Sequence, residues 1–376
     1  MNKPDFRFGY TFPAIRGIQA GREYFTSTCK LRLISKLFLF DEKEAELTAE
    51  LRAQRTLNRA RVPEIANYIV NNPGDYVFSA LTASIDSEIQ FEPYGDDGNA
   101  SLIGLLRIPM EARFIINDGQ HRRAAIEEAV RQQPALGDDS ISVVFFVDQG
   151  LQRCQQMFAD LNRHSVRPSK SLGVLYDYRE DRAKLARVVA LKSEFFKDLV
   201  EMERSSLSPR SRKLFTLSSL YYATRALLQG YESKGEDADV KLAIRFWETV
   251  ASHIPEWKFV RSGKTSAGEV RRDFIHSHGI AMHALGVVGN SLLKQPKTKA
   301  TWESQLSKLR SIDWARSNSE VWEGRAMIGG HVSKVAQNIV LTANYIKQEL
   351  KIPLSPEEER AEKAYRGAHK KRKAAA

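Results

Sequence analysis

The sequence predicts an α+β fold in which a strand-rich N-terminal domain precedes an α-helical domain. Short apolar runs rich in β-branched residues, separated by turn residues, recur as far as residue 147. Helical spacing of apolar residues takes over beyond about residue 176, with glycines and prolines between segments. The last fourteen residues hold six lysines or arginines and no acidic residue, which predicts a mobile basic tail. The predicted parts are residues 1–175, 176–362 and 363–376.

The N-terminal segment is predicted to start with strands and to continue with helices. Apolar runs broken by glycine and proline fill residues 6–40, and the longest run, residues 31–40, is predicted as a strand. Residues 41–60 are predicted as a helix, because acids crowd the first half and arginines the second, which suits the helix dipole. Pro63 then suits the first turn of another short helix.

The remaining N-terminal elements follow the same patterns. Further strands are predicted at residues 77–85, 88–91, 102–108, 114–116 and 141–147. Residues 151–161 are predicted as a helix, since Leu151, Met157 and Leu161 fall on one helical face.

The C-terminal half lacks strand signals and is predicted to be helical. The predicted helices are residues 183–199, 214–229, 240–254, 274–293, 301–309 and 333–350.

Composition predicts a folded, basic protein with an anionic partner. The chain has 376 residues, of which 42% are hydrophobic, and this content argues against global disorder. Its formal net charge of +11 favours a nucleic acid, and double-stranded DNA is the expected partner. We see no apolar stretch of about eighteen residues and no leader pattern, so we expect a cytoplasmic protein without a membrane segment.

The sequence predicts no metal site. Its two cysteines, Cys29 and Cys154, are too few for a zinc site or a disulfide scaffold. The histidines His276, His278 and His283 cannot all face one side of a single helix or strand. We therefore expect core or surface histidines at these positions.

The densest chemistry lies between the predicted strand at residues 114–116 and the helix that follows. Asp118 is expected to cap that helix, and Gly119 to let the backbone turn sharply. Arg122 and Arg123 occupy the helix end that already carries a positive dipole, and a bound phosphate would relieve this repulsion. We expect both side chains to be partly exposed. The alternative is a capped turn with a solvated basic first turn.

Residues 118–122, Asp-Gly-Gln-His-Arg, resemble the DGQHR motif of ParB/sulfiredoxin-like domains. The surrounding chain resembles the DndB family, which is associated with phosphorothioation of the DNA backbone. The likeness is strongest over residues 6–178, and it includes Pro-Ala-Ile-Arg-Gly at residues 13–17 and Phe-Ala-Asp-Leu-Asn-Arg-His at residues 158–164. The resemblance implies a ParB/sulfiredoxin-like N-terminal domain.

In that superfold the equivalent turn binds nucleotide phosphates. The resemblance implies a phosphate or nucleotide site in which Gly119 offers its backbone N–H and His121 and Arg122 face phosphate oxygens. We add to this candidate site Gln120, Arg123 and, as a second wall, Asn162, Arg163 and His164. The alternative for residues 162–164 is the end of a helix followed by an ordinary loop. ATP or another nucleotide is the candidate cofactor. Sulfiredoxin carries a reactive cysteine where this chain has Gln120, so sulfinic-acid reduction is excluded.

Basic clusters are the candidate DNA contacts. They comprise Arg55, Arg59, Arg61, Arg210, Arg212, Lys213, Lys370, Lys371 and Arg372. Residues 204–213 hold four of the chain's cations and no acid, just before a strong helix. A flexible linker is the alternative interpretation of that loop.

The function that the resemblance implies is a DNA-binding regulator of phosphorothioate-modification genes. An enzyme is the alternative, in which Asp118 and His121 act as catalytic groups in nucleotide hydrolysis or DNA nicking. A third interpretation is an interaction subunit whose basic face binds an acidic protein. Other components of the modification system are expected partners, and the sequence leaves a homo-oligomer open.

Overall fold

The computed structural model describes residues 9–38, 61–147, 156–157, 160–161, 168–295 and 301–375, with side chains as far as residue 367. The chain divides into two compact units, Met1–Val166 and Arg167–Ala376. The predicted α+β class is confirmed, since the first unit contains a mixed β-sheet and the second is built mainly from helices.

The first unit contains a seven-stranded sheet, and buried side chains tend to alternate with more exposed ones along its strands. Its strands are β1 Gly9–Gln19, β2 Arg22–Lys30, β3 Leu81–Asp86, β4 Gln90–Pro93, β5 Ile103–Pro109, β6 Arg113–Asp118 and β7 Ser140–Val147. Their order is β4-β5-β1-β2-β7-β3-β6. Neighbours pair antiparallel except β3 and β7, which are parallel. The sheet order therefore places β6, which leads into the Asp-Gly-Gln-His-Arg turn, at one edge.

Helices α1 Leu31–Leu37, α2 Val62–Asn71 and α3 Gln120–Gln132 contribute to the core of this unit. Pro63 lies in the first turn of α2, as the sequence predicts. In α3, Ile126 and Ala129 are fully buried and join the same apolar cluster as the inward-facing strand residues. Packing of α2 against α3 thus fixes the helix that starts at the turn.

Two local predictions in this unit are wrong. Residues 31–37 form a helix and not a strand, because only Leu31, Ile34 and Leu37 are buried, at the three-residue spacing of one helical face. The strand predicted from residue 77 starts instead at Leu81. The predicted helix at residues 41–60 lies outside the described residues.

The second unit is mostly helical. Its helices are α4 Lys170–Tyr176, α5 Asp181–Lys192, α6 Leu217–Leu227, α7 Glu236–Ser252, α8 Pro255–Arg261, α9 Ala267–Asp273, α10 Gly279–Lys294, α11 Trp302–Leu306, α12 Ser319–Trp322, α13 Ala336–Glu349 and α14 Pro356–Ala375. The short strand pairs are β8 Val200–Glu201 with β9 Phe215–Thr216, and β10 Met327–Ile328 with β11 His331–Val332.

Apolar α10 is the central helix of the second unit, packing against α6 and α13. Aromatic side chains such as Phe196, Trp247 and Trp257 are fully buried in the same core. Each unit therefore has a core of its own.

The predicted mobile tail at residues 363–376 starts inside α14, and its backbone is helical as far as Ala375. Just before it, the buried carboxylate of Glu362 accepts two hydrogen bonds from Arg325, at 2.6 and 2.9 Å. This buried ion pair anchors α14 to the unit. The segment from residue 363 thus continues an anchored helix.

Candidate functional site

The turn between β6 and α3 depends on Gly119. Its φ of +106° lies in the left-handed region, which side chains with a Cβ adopt only under strain. A Cβ at this position would also meet the Leu81 side chain at 2.4 Å. Conformation and space therefore both require glycine here.

Asp118 does not cap α3, contrary to the prediction. Its carboxylate accepts a hydrogen bond from Nη2 of Arg122 at 2.7 Å, and α3 begins without a side-chain cap. The guanidinium of Arg122 also donates to the carbonyl oxygen of Ser79 at 3.2 Å and to the Ser79 hydroxyl. Arg122 thus ties the turn to the segment that precedes β3.

The expectation that both arginines are partly exposed holds for Arg122 and is wrong for Arg123, which is buried. The side chain of Arg122 is 16% exposed and that of Arg123 is 10% exposed. Arg123 pairs with Glu127 at 2.9 Å, one helical turn along, while its buried Nε has no hydrogen-bond partner among the described residues. Neighbouring carboxylates therefore neutralise much of the charge that we expected a phosphate to relieve.

The other groups of the turn face different partners. Gln120 donates from Nε2 to the carbonyl of Ile116 at 3.0 Å. Desolvation, with the nearby charge of Arg61, lowers the pKa of His121, so its imidazole is neutral at pH 7. The structure thus brings together His121 and Arg61, which the sequence assigned to separate sites.

Asn117 is a buried anchor of this turn that the sequence patterns did not reveal. Asn117 is 1% exposed, and its Nδ2 donates to the Ser84 hydroxyl at 2.7 Å and to Sδ of Met157 at 3.1 Å. An asparagine at the end of an apolar strand was the available signal. The predicted second wall of the pocket, Asn162 with Arg163 and His164, lies outside the described residues.

A second candidate site is the loop at residues 204–213 of the helical unit. One guanidinium, that of Arg271 on α9, donates to four backbone carbonyls of this loop. The acceptors are Ser208 at 2.7 Å, Ser211 at 3.2 Å, Pro209 at 3.4 Å and Lys213. A guanidinium suits this role because its donors spread in a rigid planar fork.

The predicted cations of this loop differ in their surroundings. Arg210 and Arg212 are exposed, and neither forms an ion pair with a described residue. Lys213 is half-buried, and its ammonium donates to the carbonyl of Asp198 at 2.9 Å. Close packing of α9 supports the loop, since a Cβ on Gly268 would meet the Pro209 carbonyl at 2.2 Å.

The remaining predicted DNA contacts lie elsewhere in the chain. Arg55 and Arg59 lie outside the described residues, whereas Arg61 is exposed beside the start of α2. Lys370, Lys371 and Arg372 lie on the helical backbone of α14.

Comparison with known proteins gives the family. A family model described as "DndB: DNA-sulfur modification-associated" matches residues 12–353, which is most of the chain. The chain belongs to the DndB family. Searches of curated proteins and of solved structures found no match.

The match to the DndB family spans both candidate sites. The turn at residues 118–123 and the loop at residues 204–213 lie within the matched residues, while the cations of residues 370–373 lie beyond them. The family is associated with DNA sulfur modification, so this chain is associated with such a system. No helix in the described part of the chain is long and apolar enough to cross a membrane.

Cys29 and His276 of this DndB-family chain serve packing. Cys29 is buried, and burial raises the pKa of its thiol to about 12, which disfavours the reactive thiolate. His276 is fully buried and accepts a hydrogen bond from Trp257 at 2.9 Å. Within the described residues, histidines, cysteines and carboxylates form no cluster that could hold a metal ion.

Proposed function

We propose that this DndB-family protein is a DNA-binding regulator of a phosphorothioate-modification system. The observation that carries the proposal is the loop at residues 204–213, which presents Arg210 and Arg212 to solvent from a backbone fixed by Arg271. Such a loop suits DNA phosphates, because Arg210 and Arg212 have no counter-charge among the described residues and the backbone loses little freedom on binding.

Net charge supports the same partner. The chain carries a formal excess of eleven positive charges, which favours duplex DNA over a neutral or acidic ligand surface. Other components of the modification system are further proposed partners, since the family is associated with that system. A homo-oligomer would present two such loops to the two halves of a symmetric DNA site.

The turn at residues 118–123 is our proposed second phosphate contact, for ATP, another nucleotide or the DNA backbone. A strand, a glycine with positive φ and a thirteen-residue helix place free backbone N–H groups at the end of a helix dipole. Arg61 and His121 add donors beside it. We assign this strand–turn–helix to the ParB/sulfiredoxin-like superfold, whose members bind phosphates at the equivalent turn.

A charge-matched comparison of variants tests the proposal. Fluorescence anisotropy would measure the affinity of labelled duplex DNA for the wild type, for an Arg210→Ala/Arg212→Ala double variant and for a Lys192→Ala/Lys241→Ala double variant. Lys192 and Lys241 are exposed lysines outside the loop, so both variants lose two positive charges. The loop variant should bind at least tenfold more weakly, and the control within about threefold. Equal losses would contradict a specific role of the loop.

Two further measurements separate a regulator from an enzyme. Tighter binding to the upstream region of modification genes than to unrelated DNA of equal length would support regulation. Nucleotide release or plasmid nicking that His121→Ala abolishes would support the enzyme instead. Since the Asp118 carboxylate is already paired with Arg122, we expect no turnover.

A further inference from the structure

The helical unit contains a cavity that the proposed function does not use. It has a volume of about 650 Å³ and lies between the loop at residues 204–213, the start of α6, helix α9 and the start of α10. Its walls combine apolar groups, including Leu214 and Phe215, with several hydroxyl groups and cations. A volume of this size accommodates a nucleotide-sized molecule.

Positive potential converges at one end of this cavity. Helix α10 has sixteen residues and begins at Gly279 without a side-chain cap, so its first N–H groups and its positive dipole end are available there. The ammonium of Lys334 lies 3.1 Å from the point where a Cβ on Gly279 would stand, and the Ser219 hydroxyl lies 2.9 Å from the same point. Lys334 forms no ion pair with a described residue.

An independent observation at the same place is an unsatisfied buried hydroxyl. Ser277 lines the cavity, is 5% exposed, and its Oγ has no hydrogen-bond partner among the described residues. A buried hydroxyl without a partner is uncommon in folded proteins, and it points to a ligand atom that completes its hydrogen bonding.

Among the described residues, no carboxylate forms an ion pair with the Lys334 ammonium. His278 donates from Nε2 to the carbonyl of Arg271 at 2.7 Å, so this nitrogen offers no lone pair to the lysine. The carboxylate of Glu269, on the cavity wall, already accepts from the backbone N–H and hydroxyl of Ser266, and from Thr265. The Lys334 ammonium therefore remains available to an anion.

We propose that this cavity binds the phosphate group of a small phosphomonoester of nucleotide size. Lys334 and the first N–H groups of α10 would hold the phosphate oxygens, and the Ser277 and Ser219 hydroxyls would donate to them. The apolar wall at Leu214 and Phe215 would receive the rest of the molecule. The site is separate from the exposed arginines of the loop and does not depend on DNA binding.

Calorimetric titration of the full-length protein tests this proposal with three probes: inorganic phosphate, AMP and adenosine. We expect phosphate and AMP to bind and adenosine, which lacks the phosphate, to bind at least tenfold more weakly than AMP. Tighter binding of AMP than of phosphate would mark a nucleotide site, and equal binding would mark a site for free phosphate. Both results support the phosphate contact. Failure of both anions to bind, or equal binding of AMP and adenosine, would overturn it.

Matched variants locate the binding. Lys334→Gln should weaken phosphate and AMP binding roughly tenfold or more, and Ser277→Ala about three- to tenfold. The controls are Lys192→Gln and Ser317→Ala, which change exposed residues outside the cavity. Thermal unfolding of each variant shows that the fold is kept, and Ser277→Thr, which retains the hydroxyl, should keep most of the affinity. Unchanged affinity in folded Lys334→Gln and Ser277→Ala would overturn the assignment.

Discussion

At the scale of single residues, the charged side chains of the Asp-Gly-Gln-His-Arg turn hold the protein's own structure together, in addition to any role in ligand binding. Arg122 joins Asp118 at one end of the turn to Ser79 before β3, and it is mostly buried. A phosphate at this turn would therefore meet arginines that are already paired, and backbone N–H groups would carry much of the contact.

Arg122→Ala should lower the free energy of unfolding by about 1–2 kcal/mol, because it removes a hydrogen-bonded ion pair and leaves Asp118 without its partner. Arg131→Ala is the control, since Arg131 pairs with Glu128 on the same helix but is 73% exposed. That change should leave the free energy of unfolding nearly unchanged. Chemical denaturation would measure both, and equal losses would show that the turn does not depend on Arg122.

His278 should make stability depend on pH. Burial first, and then the charges of Arg316 and Lys334 and the neighbouring His276, lower its pKa to about 4. The unfolded state, with a pKa near 6.5, then binds more protons than the folded state between pH 6.5 and 4. Stability is therefore complete above pH 6.5 and falls as the pH drops towards 4, by about 3 kcal/mol for this residue.

His278→Asn should remove that part of the pH dependence. The unfolding free energy of the wild type minus that of the variant should decrease as the pH falls from 7.5 to 4.5. Parallel curves for the two proteins would contradict the assignment, because His276 and the other titrating groups are common to both.

At the scale of elements, one side chain of α9 organises the loop at residues 204–213. Removing the Arg271 guanidinium leaves four loop carbonyls without their shared donor. Arg271→Met should therefore increase the hydrogen-exchange rate of amides 208–213 and weaken DNA binding about three- to tenfold. Arg272→Met is the matched control, because Arg272 lies next on α9, is exposed and pairs with its neighbour Asp273.

Faster exchange in both variants would show that the loop responds to any change in α9. Faster exchange in Arg271→Met with unchanged DNA affinity would separate loop order from DNA binding and would contradict the proposed role of the fixed backbone.

Local patterns predicted the elements whose signals lie within one segment. The strand, glycine turn and helix around Gly119 are where the sequence predicts them, because apolar periodicity and glycine conformation are local properties. Residues 31–37 were mispredicted because a short apolar run fits a strand or a buried helix equally well. Arg271 was missed because its partners are about sixty residues away along the chain.

For the arginines of the turn, local sequence patterns predicted the pairing but not the burial. Arg122 and Arg123 have acidic partners at four-residue spacing, and this pairing was visible in the sequence. Their burial was not, since it depends on how α3 packs against the rest of its unit. The cavity beside Lys334 likewise joins segments between residues 205 and 334, so sequence patterns could not predict it.

At the scale of the whole molecule, two units with separate cores share one basic chain. The DndB family match extends from residue 12 to residue 353, so the association with DNA sulfur modification belongs to both units and not to the Asp-Gly-Gln-His-Arg turn alone. If DNA phosphates are the partner of this charge, binding must release counterions and weaken with salt.

The salt dependence of DNA affinity tests the central claim most directly. Dissociation constants for one duplex, measured from 50 to 200 mM salt, should give a slope of log K against log salt near −5, for roughly six phosphate contacts. The Arg210→Ala/Arg212→Ala variant should reduce the steepness of that slope by about 2, one unit for each lost phosphate contact. The same slope in both proteins, or an affinity that does not change with salt, would contradict DNA recognition through this loop.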